Sequence, residues 1–205
     1  MTSLKDTYAL RREKVLVPLA ARIEDHLKNL FGSLARIDRI SARAKSVDRF
    51  LGKAAKLEEG KPKYEDPLNQ IQDQVGARIV TFCPSDVERV RLEIEKYFKY
   101  IESQRIVPES EKEFGYEGRH FILFVPEDLI DDTVSRDESV ELFELQIKTL
   151  FQHAWSEAEH DLGYKPSVKL TSDQHRRLAF TAAQAWGADQ IFDEMFHQMT
   201  QPSTR

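Results

Sequence analysis

Two periods organise the hydrophobic positions of this chain, and they meet between residues 140 and 162. Leu142, Glu144, Gln146 and Lys148 alternate with Phe143, Leu145, Ile147 and Thr149, the period-two pattern of a strand with two unlike faces. From Leu150 the spacing becomes helical, with Phe151, Trp155, Ala158 and Leu162 on one stripe. A strand running straight into a helix aims Glu144, Gln146, His153 and His160 at one region. A carboxylate and an amide in mid-strand are costly among apolar neighbours unless something binds them. The alternative is an edge strand with a solvated outer face.

Elsewhere the same two periods predict a helix over residues 8–31, on the stripe Leu16, Leu19, Ile23, Leu27 and Leu30, started or kinked by Pro18. Residues 35–58 are read as a second helix, in which Lys45, Arg49 and Lys53 lie four apart along one face. Such a row repels itself by a few tenths of a kcal/mol, roughly, per pair. It is either a solvated face or a site for an anion such as a polyphosphate. Ala77 to Cys83 reads as a buried strand between Gly76 and Pro84, with Asp73 just before it. Ser85 then caps a helix reaching about Lys99, and strands follow at Tyr100–Val107 and His120–Val125. Between them, Lys112, Tyr116, Arg119 and His120 surround Gly115 and Gly118, in either a plain hairpin loop or one that presents an aromatic to a base. A terminal helix starts at Thr171 or Ser172, and Trp186 and Phe196 widen its stripe of Leu178, Ala182, Ala185, Phe192, Met195 and Met199.

Composition narrows the class. The 205 residues are 40% apolar and 32% charged, with 35 acids against 30 bases, as expected of one ordinary domain rather than a bulk nucleic-acid binder. The single cysteine, Cys83, excludes an internal disulfide framework. No run approaches about 18 apolar residues, and the first residues lack the apolar core of a signal peptide. The expectation is a cytoplasmic protein with no membrane partner. The basic cluster Arg11, Arg12 and Lys14 is read as a solvated first turn.

Four separated motifs carry the chemistry: Arg43, Lys45, Ser46 and Lys53; Asp73, Gly76 and Arg78; Gly115, Tyr116 and His120; and Glu144, Gln146, Lys148, Thr149, Trp155, Glu159, His160, Tyr164 and Lys165. In this order they resemble the RelA/SpoT-type (p)ppGpp synthetase domain, in its small synthetase-only form. The resemblance implies a nucleotidyltransferase-like α/β (α+β) fold: a mixed sheet of about four or five strands flanked by helices, with extra N- and C-terminal helices. It implies a single domain over residues 1–205 with its core at about 35–165.

The implied activity is transfer of pyrophosphate from ATP to the 3′-hydroxyl of GDP or GTP. Such chemistry needs neutralised phosphates and an in-line acceptor oxygen. Asp73 and Glu144 would hold Mg²⁺, and Glu144 would also help deprotonate the hydroxyl. Lys45, Ser46, Arg49 and Lys53 would bind ATP phosphates, while Arg43 and Arg78 would stack on adenine. Tyr116 would stack on the acceptor base; Lys112, His120, Gln146 and His153 would hold acceptor phosphates or base edges. Glu117 and Gly118 stand where the family often has Arg-Ser. That departure keeps an adenosine nucleotide or the tRNA 3′ end in view as acceptor, the latter served by Arg11, Arg12 and Lys14; a non-catalytic nucleotide sensor on the same fold is a separate alternative. A homo-oligomer through Trp186, Phe196 and Met199 is expected. The competing arrangement covers those residues with the N-terminal helix.

Overall fold

The computed structural model describes residues 3–135, 138–163 and 170–200; Tyr164 and Lys165 of the fourth motif lie outside them. Its centre is a five-stranded mixed sheet in the order β1 (Ile37–Ala44), β4 (Val75–Thr81), β7 (Leu142–Thr149), β6 (Gly118–Phe124), β5 (Tyr100–Ile106). Only β4 and β7 run parallel; the other neighbours are antiparallel. A small hairpin, β2 (Leu57–Glu58) and β3 (Lys61–Pro62), stands apart from this sheet.

Alternation divides the sheet into two faces. Val75, Ala77 and Ile79 of β4, Phe143, Leu145 and Ile147 of β7, and Phe121 and Leu123 of β6 all point into one core. Two helices supply its other side: α2 (Val17–Phe31) through Leu19, Ile23, Leu27 and Phe31, and α5 (Pro84–Tyr97) through Val90 and Ile94. The opposite face of β4 and β7 carries Gly76, Arg78, Glu144, Gln146 and Lys148. A long helix, α6 (Leu150–Gly163), leaves β7 without a break, as its change of period implies, and α7 (Ser172–Thr200) packs on it. Thr171 caps α7: its Oγ1 accepts from the Gln174 N–H while the Gln174 amide accepts the Thr171 N–H. Among the described residues no helix is long and apolar enough to cross a membrane.

One predicted element is corrected. Residues 35–58 are not one helix but β1 followed by α3 (Val47–Ala54). A register shift between Ile37 and Arg39 inserts an extra residue in β1, so Ile37, Ile40 and Ala44 recur at three and four, the helical spacing. Pairing with β4, and Glu24 of α2 accepting the Ala42 N–H on the outer edge, decides the conformation. Lys45, Arg49 and Lys53 therefore do not share a helix: Lys45 leaves the strand, Ser46 caps α3, and Arg49 and Lys53 ride on it.

Two smaller readings also change. Helix α5 starts at Pro84, with Cys83 rather than Ser85 in the capping position. The N-terminal helix does not cover α7. It packs on β1 and β4, while α7 meets α6 and α5. Trp186 and Phe196 have partners within the chain, Phe114 at 5.8 Å and the Arg36 guanidinium at 5.1 Å; Met199 is exposed.

Candidate active site

Strand register assembles the polar face. Arg43 pairs with Gly76 and Gly76 with Glu144. The next row runs Ser41, Arg78, Gln146, His120. With adjacent strands about 5 Å apart, residues distant in sequence become neighbours. Together with the β1–α3 junction they line a cleft of about 530 Å³ that includes Arg12, Arg43, Lys45, Ser46, Arg49, Asp73, Gly76, Arg78, Glu144 and Gln146. Gly76 forms part of its floor; a Cβ there would meet nothing within 4 Å.

Asp73 sits in the tight turn that leads into β4. Its Oδ2 accepts both Lys45 Nζ (2.8 Å) and Lys53 Nζ (2.9 Å). Burial works against its ionisation, but the two ammonium groups outweigh that and hold the carboxyl below its ordinary value. Its Oδ1 is buried without a hydrogen-bond partner among the described residues. Burial likewise opposes ionisation of Glu144, yet its bonds with His120 and Gln146 bring it below the usual range, although the charge of Asp73 pushes the other way. Both groups are therefore anionic at neutral pH.

The two carboxylates with one orphaned oxygen fit a hard divalent cation that completes its shell with phosphate oxygens. No group of three or more His, Cys, Asp or Glu side chains is placed to hold a metal alone among the described residues.

Glu144 ends a hydrogen-bonded chain. Its Oε1 lies 3.1 Å from His120 Nδ1, and His120 Nε2 lies 2.7 Å from the Tyr116 hydroxyl. His120 thus bridges the carboxylate and the phenol through its two ring nitrogens. The Gln146 amide donates to Glu144 Oε2 at 3.0 Å. Gly118 makes room for this chain, because a Cβ there would lie 2.6 Å from the Tyr116 hydroxyl. Lys148, next along the same face of β7, is buried. Its Nζ donates to Ser156 Oγ at 3.2 Å and stands 4.4 Å from the centre of the Tyr116 ring. Burial and the nearby Arg78 charge push that ammonium down to about 8.

Arg78 donates to Glu157 Oε1 at 2.7 Å and lies 3.1 Å from His153 Nδ1. Burial and Arg78 lower the His153 pKa, so a neutral imidazole accepts the guanidinium N–H. Burial, then the charges of Arg49 and Arg78, also lower the pKa of Arg43, so three guanidinium groups repel one another here.

Of the candidates named from the sequence, Arg43, Lys45, Ser46, Arg49, Asp73, Arg78, Glu144 and Gln146 meet in the cleft. Lys53 joins through Asp73, and Tyr116 and His120 through Glu144. His153 turns to Arg78 rather than to Gln146 or Tyr116. Lys112 stays exposed on its loop, its backbone N–H donating to Ser110 Oγ at 3.2 Å. Arg12, read from the sequence as solvated, lines the cleft; no local pattern marks it, since its position depends on how the first helix docks. Lys148 stood in the fourth motif without an assigned role, and Glu157 could have been suspected from its position one turn beyond His153.

Residues 42–169 match the family described as the region found in RelA / SpoT proteins. The chain is similar to GTP pyrophosphokinase YjbM of Bacillus subtilis, 28% identical over 194 residues that cover 89% of this chain and 87% of that protein. Among solved structures, the small alarmone synthetase 1 from Bacillus subtilis bound to its product pppGpp aligns with a TM-score of 0.73 at 25% identity, covering 91% of this chain and 96% of that one. A GTP pyrophosphokinase family protein from Streptococcus pneumoniae aligns with a TM-score of 0.75 at 21% identity over 97% of this chain and 96% of that one, a likeness of fold.

Proposed function

The chain belongs to the RelA/SpoT family, and from that premise we propose that it is a single-domain ATP:nucleotide 3′-pyrophosphotransferase making (p)ppGpp from ATP and GDP or GTP. The observation that carries this reading is one cleft holding Asp73 and Glu144 among Arg43, Lys45, Arg49 and Arg78. Two carboxylates in a field of cations suit a polyphosphate with its counter-ion. They suit neither an acyl substrate nor a redox cofactor.

In the reaction the acceptor 3′-oxygen bonds to the β-phosphorus of ATP, the bridge to the α-phosphate breaks, and AMP leaves. Arg43 and Arg78 hold the adenine between planar guanidinium groups. Arg78 is pre-oriented by Glu157 and His153. Lys45 and Lys53 exchange Asp73 for phosphate oxygens, with Ser46 and Arg49 beside them at the start of α3. Asp73 and Glu144 would hold Mg²⁺, which when bound would neutralise charge on the phosphate oxygens.

Glu144, ionised and fixed by His120 and Gln146, accepts the hydrogen bond of the 3′-hydroxyl and orients it. Its lowered pKa makes it a weak base, so the proton leaves late. Tyr116 and His120 border the acceptor side together with Gln146. YjbM is a GTP pyrophosphokinase by name, and small alarmone synthetase 1 is seen bound to its product pppGpp; both support a guanosine acceptor here.

ATP labelled in its γ-phosphate, incubated with Mg²⁺ and separately with GDP, GTP, ADP and tRNA, tests the proposal. Equal yields of AMP and a labelled guanosine product are expected. Transfer only to ADP or tRNA, or nucleotide binding without turnover, would overturn it. Of the three basic residues named for a tRNA acceptor, Arg11 is engaged with the backbone carbonyls of Leu68, Glu138 and Ser139, Arg12 lines the cleft and Lys14 stays exposed.

A further inference from the structure

The N-terminal helix touches the cleft at one point. Helix α1 (Leu4–Arg11) is fixed by Tyr8, whose ring stacks on Phe50 of α3 at 3.6 Å and whose hydroxyl donates to the Lys45 carbonyl at 3.0 Å. Arg11 ties the same helix to the other side through the carbonyls of Leu68 and Ser139, each at 2.7 Å. The next residue opens a π-helical turn, Arg12–Leu16, in which the Val17 N–H reaches back to the Arg12 carbonyl. Such wide turns often mark functional positions, and this one also relieves the clash that Pro18 would impose on a regular helix.

Arg12 Nε donates to the Lys45 carbonyl at 3.1 Å. Its side chain lines the cleft with Lys45, Ser46 and Arg49. Its two terminal amino groups have no hydrogen-bond or ion-pair partner among the described residues. The guanidinium is thus anchored through Nε to the backbone of Lys45, at the lining of the cleft. Asp73 is already engaged by Lys45 and Lys53, so the positive charge of Arg12 is unmatched within the cleft.

We propose that Arg12 is a further binding residue for the triphosphate chain of the donor nucleotide, reaching the site from outside residues 42–169. The proposal rests on the function given above. A planar fork with two open N–H groups takes two phosphate oxygens at once. The anchor on Lys45 places that fork at the phosphate end of the site rather than beside Arg78. A diphosphate or triphosphate donor would engage Arg12; a monophosphate would leave it unused.

Calorimetric titration of the full chain with the non-hydrolysable analogue AMPCPP and with AMP, both with Mg²⁺, tests this on wild type, Arg12→Gln and Arg12→Lys. Glutamine keeps a donor for the Lys45 carbonyl, and lysine keeps the charge without the fork. Arg12→Gln is expected to weaken AMPCPP roughly tenfold or more while AMP stays within about twofold, with Arg12→Lys between wild type and Arg12→Gln. Equal AMPCPP affinity in wild type and both variants overturns the assignment while leaving the proposed function intact. So does an equal loss for AMP and AMPCPP, which would mark Arg12 as structural. Wild type binding neither nucleotide would instead overturn the proposed function itself, and this inference with it.

Discussion

The two faces of β4 and β7 are built from alternate residues of the same strands and obey opposite rules. On one, Val75, Ala77, Ile79, Phe143, Leu145 and Ile147 are buried against α2 and α5. On the other, Arg78, Glu144, Gln146 and Lys148 stand in or beside the cleft, bonded mainly to one another's neighbours on β6 and α6. The first face stabilises by removing apolar area from water, at about 25 cal/mol per Å². The second gathers charges that would be better solvated apart, a cost that the proposed polyphosphate ligand would offset. A one-residue slip of β7 would exchange the two faces, so the parallel register with β4 decides both fold and site together.

Substitutions on each face should separate these contributions. Phe143→Ala on the core face should cost the most, about 3–5 kcal/mol in urea denaturation, while activity per folded molecule stays near wild type. On the cleft face the effects should reverse. Asp73→Ala or Glu144→Ala should lower the initial rate of AMP formation by more than about a hundredfold, beyond the 10–100-fold typical of groups one shell further out, with a melting temperature close to wild type. An unchanged rate in both would break the comparison.

Lys148 sharpens it, because it is the one cation of the cleft face that is almost fully buried. Its pKa falls from 10.5 to about 8 on folding, so the folded state disfavours the charged form. That penalty is complete below about pH 8 and fades as pH rises towards 10.5, where the unfolded chain also loses the proton. Lys148→Met should therefore stabilise by about 1–2 kcal/mol at pH 7, and the gain should shrink by pH 10 in parallel denaturation curves. Gly118→Ala should have the smallest effect. Its Cβ would lie 2.6 Å from the Tyr116 hydroxyl and displace it from His120. Loss of that one hydrogen bond should raise the acceptor KM about two- to tenfold and leave the ATP KM unchanged.

How far the chain could be read in advance follows from where each signal resides. Strand β7 and helix α6 were legible because the change of period occurs within a few residues, and β4 because Gly76 and Pro84 bracket an apolar run. Strand β1 was not, since its extra residue near Ile37 mimics a helical repeat and only pairing with β4 resolves it. The residues of the cleft stood out as motifs spread over more than a hundred positions, from Arg43 to Gln146. Their local spacing identified them, but not their partners. His153 bonding Arg78, Lys148 under Tyr116, and Lys45 with Lys53 on Asp73 are contacts between elements, and no local pattern encodes them.

By itself the sequence determined the elements that alternate or repeat cleanly, the identity of the charged groups and the family to which they belong. These depend on backbone sterics and on side-chain type, which act over a few residues. The tertiary structure alone decided that Arg43, Gly76 and Glu144 share one row and that Gly118 admits the Tyr116 hydroxyl. It also decided that Arg12, read as a solvent-facing residue of a first helix, points into the cleft. Each of those outcomes turns on strand register or helix docking. Both are set by burial of the apolar face opposite, so the position of every polar group in the cleft is fixed by packing among residues that never touch it.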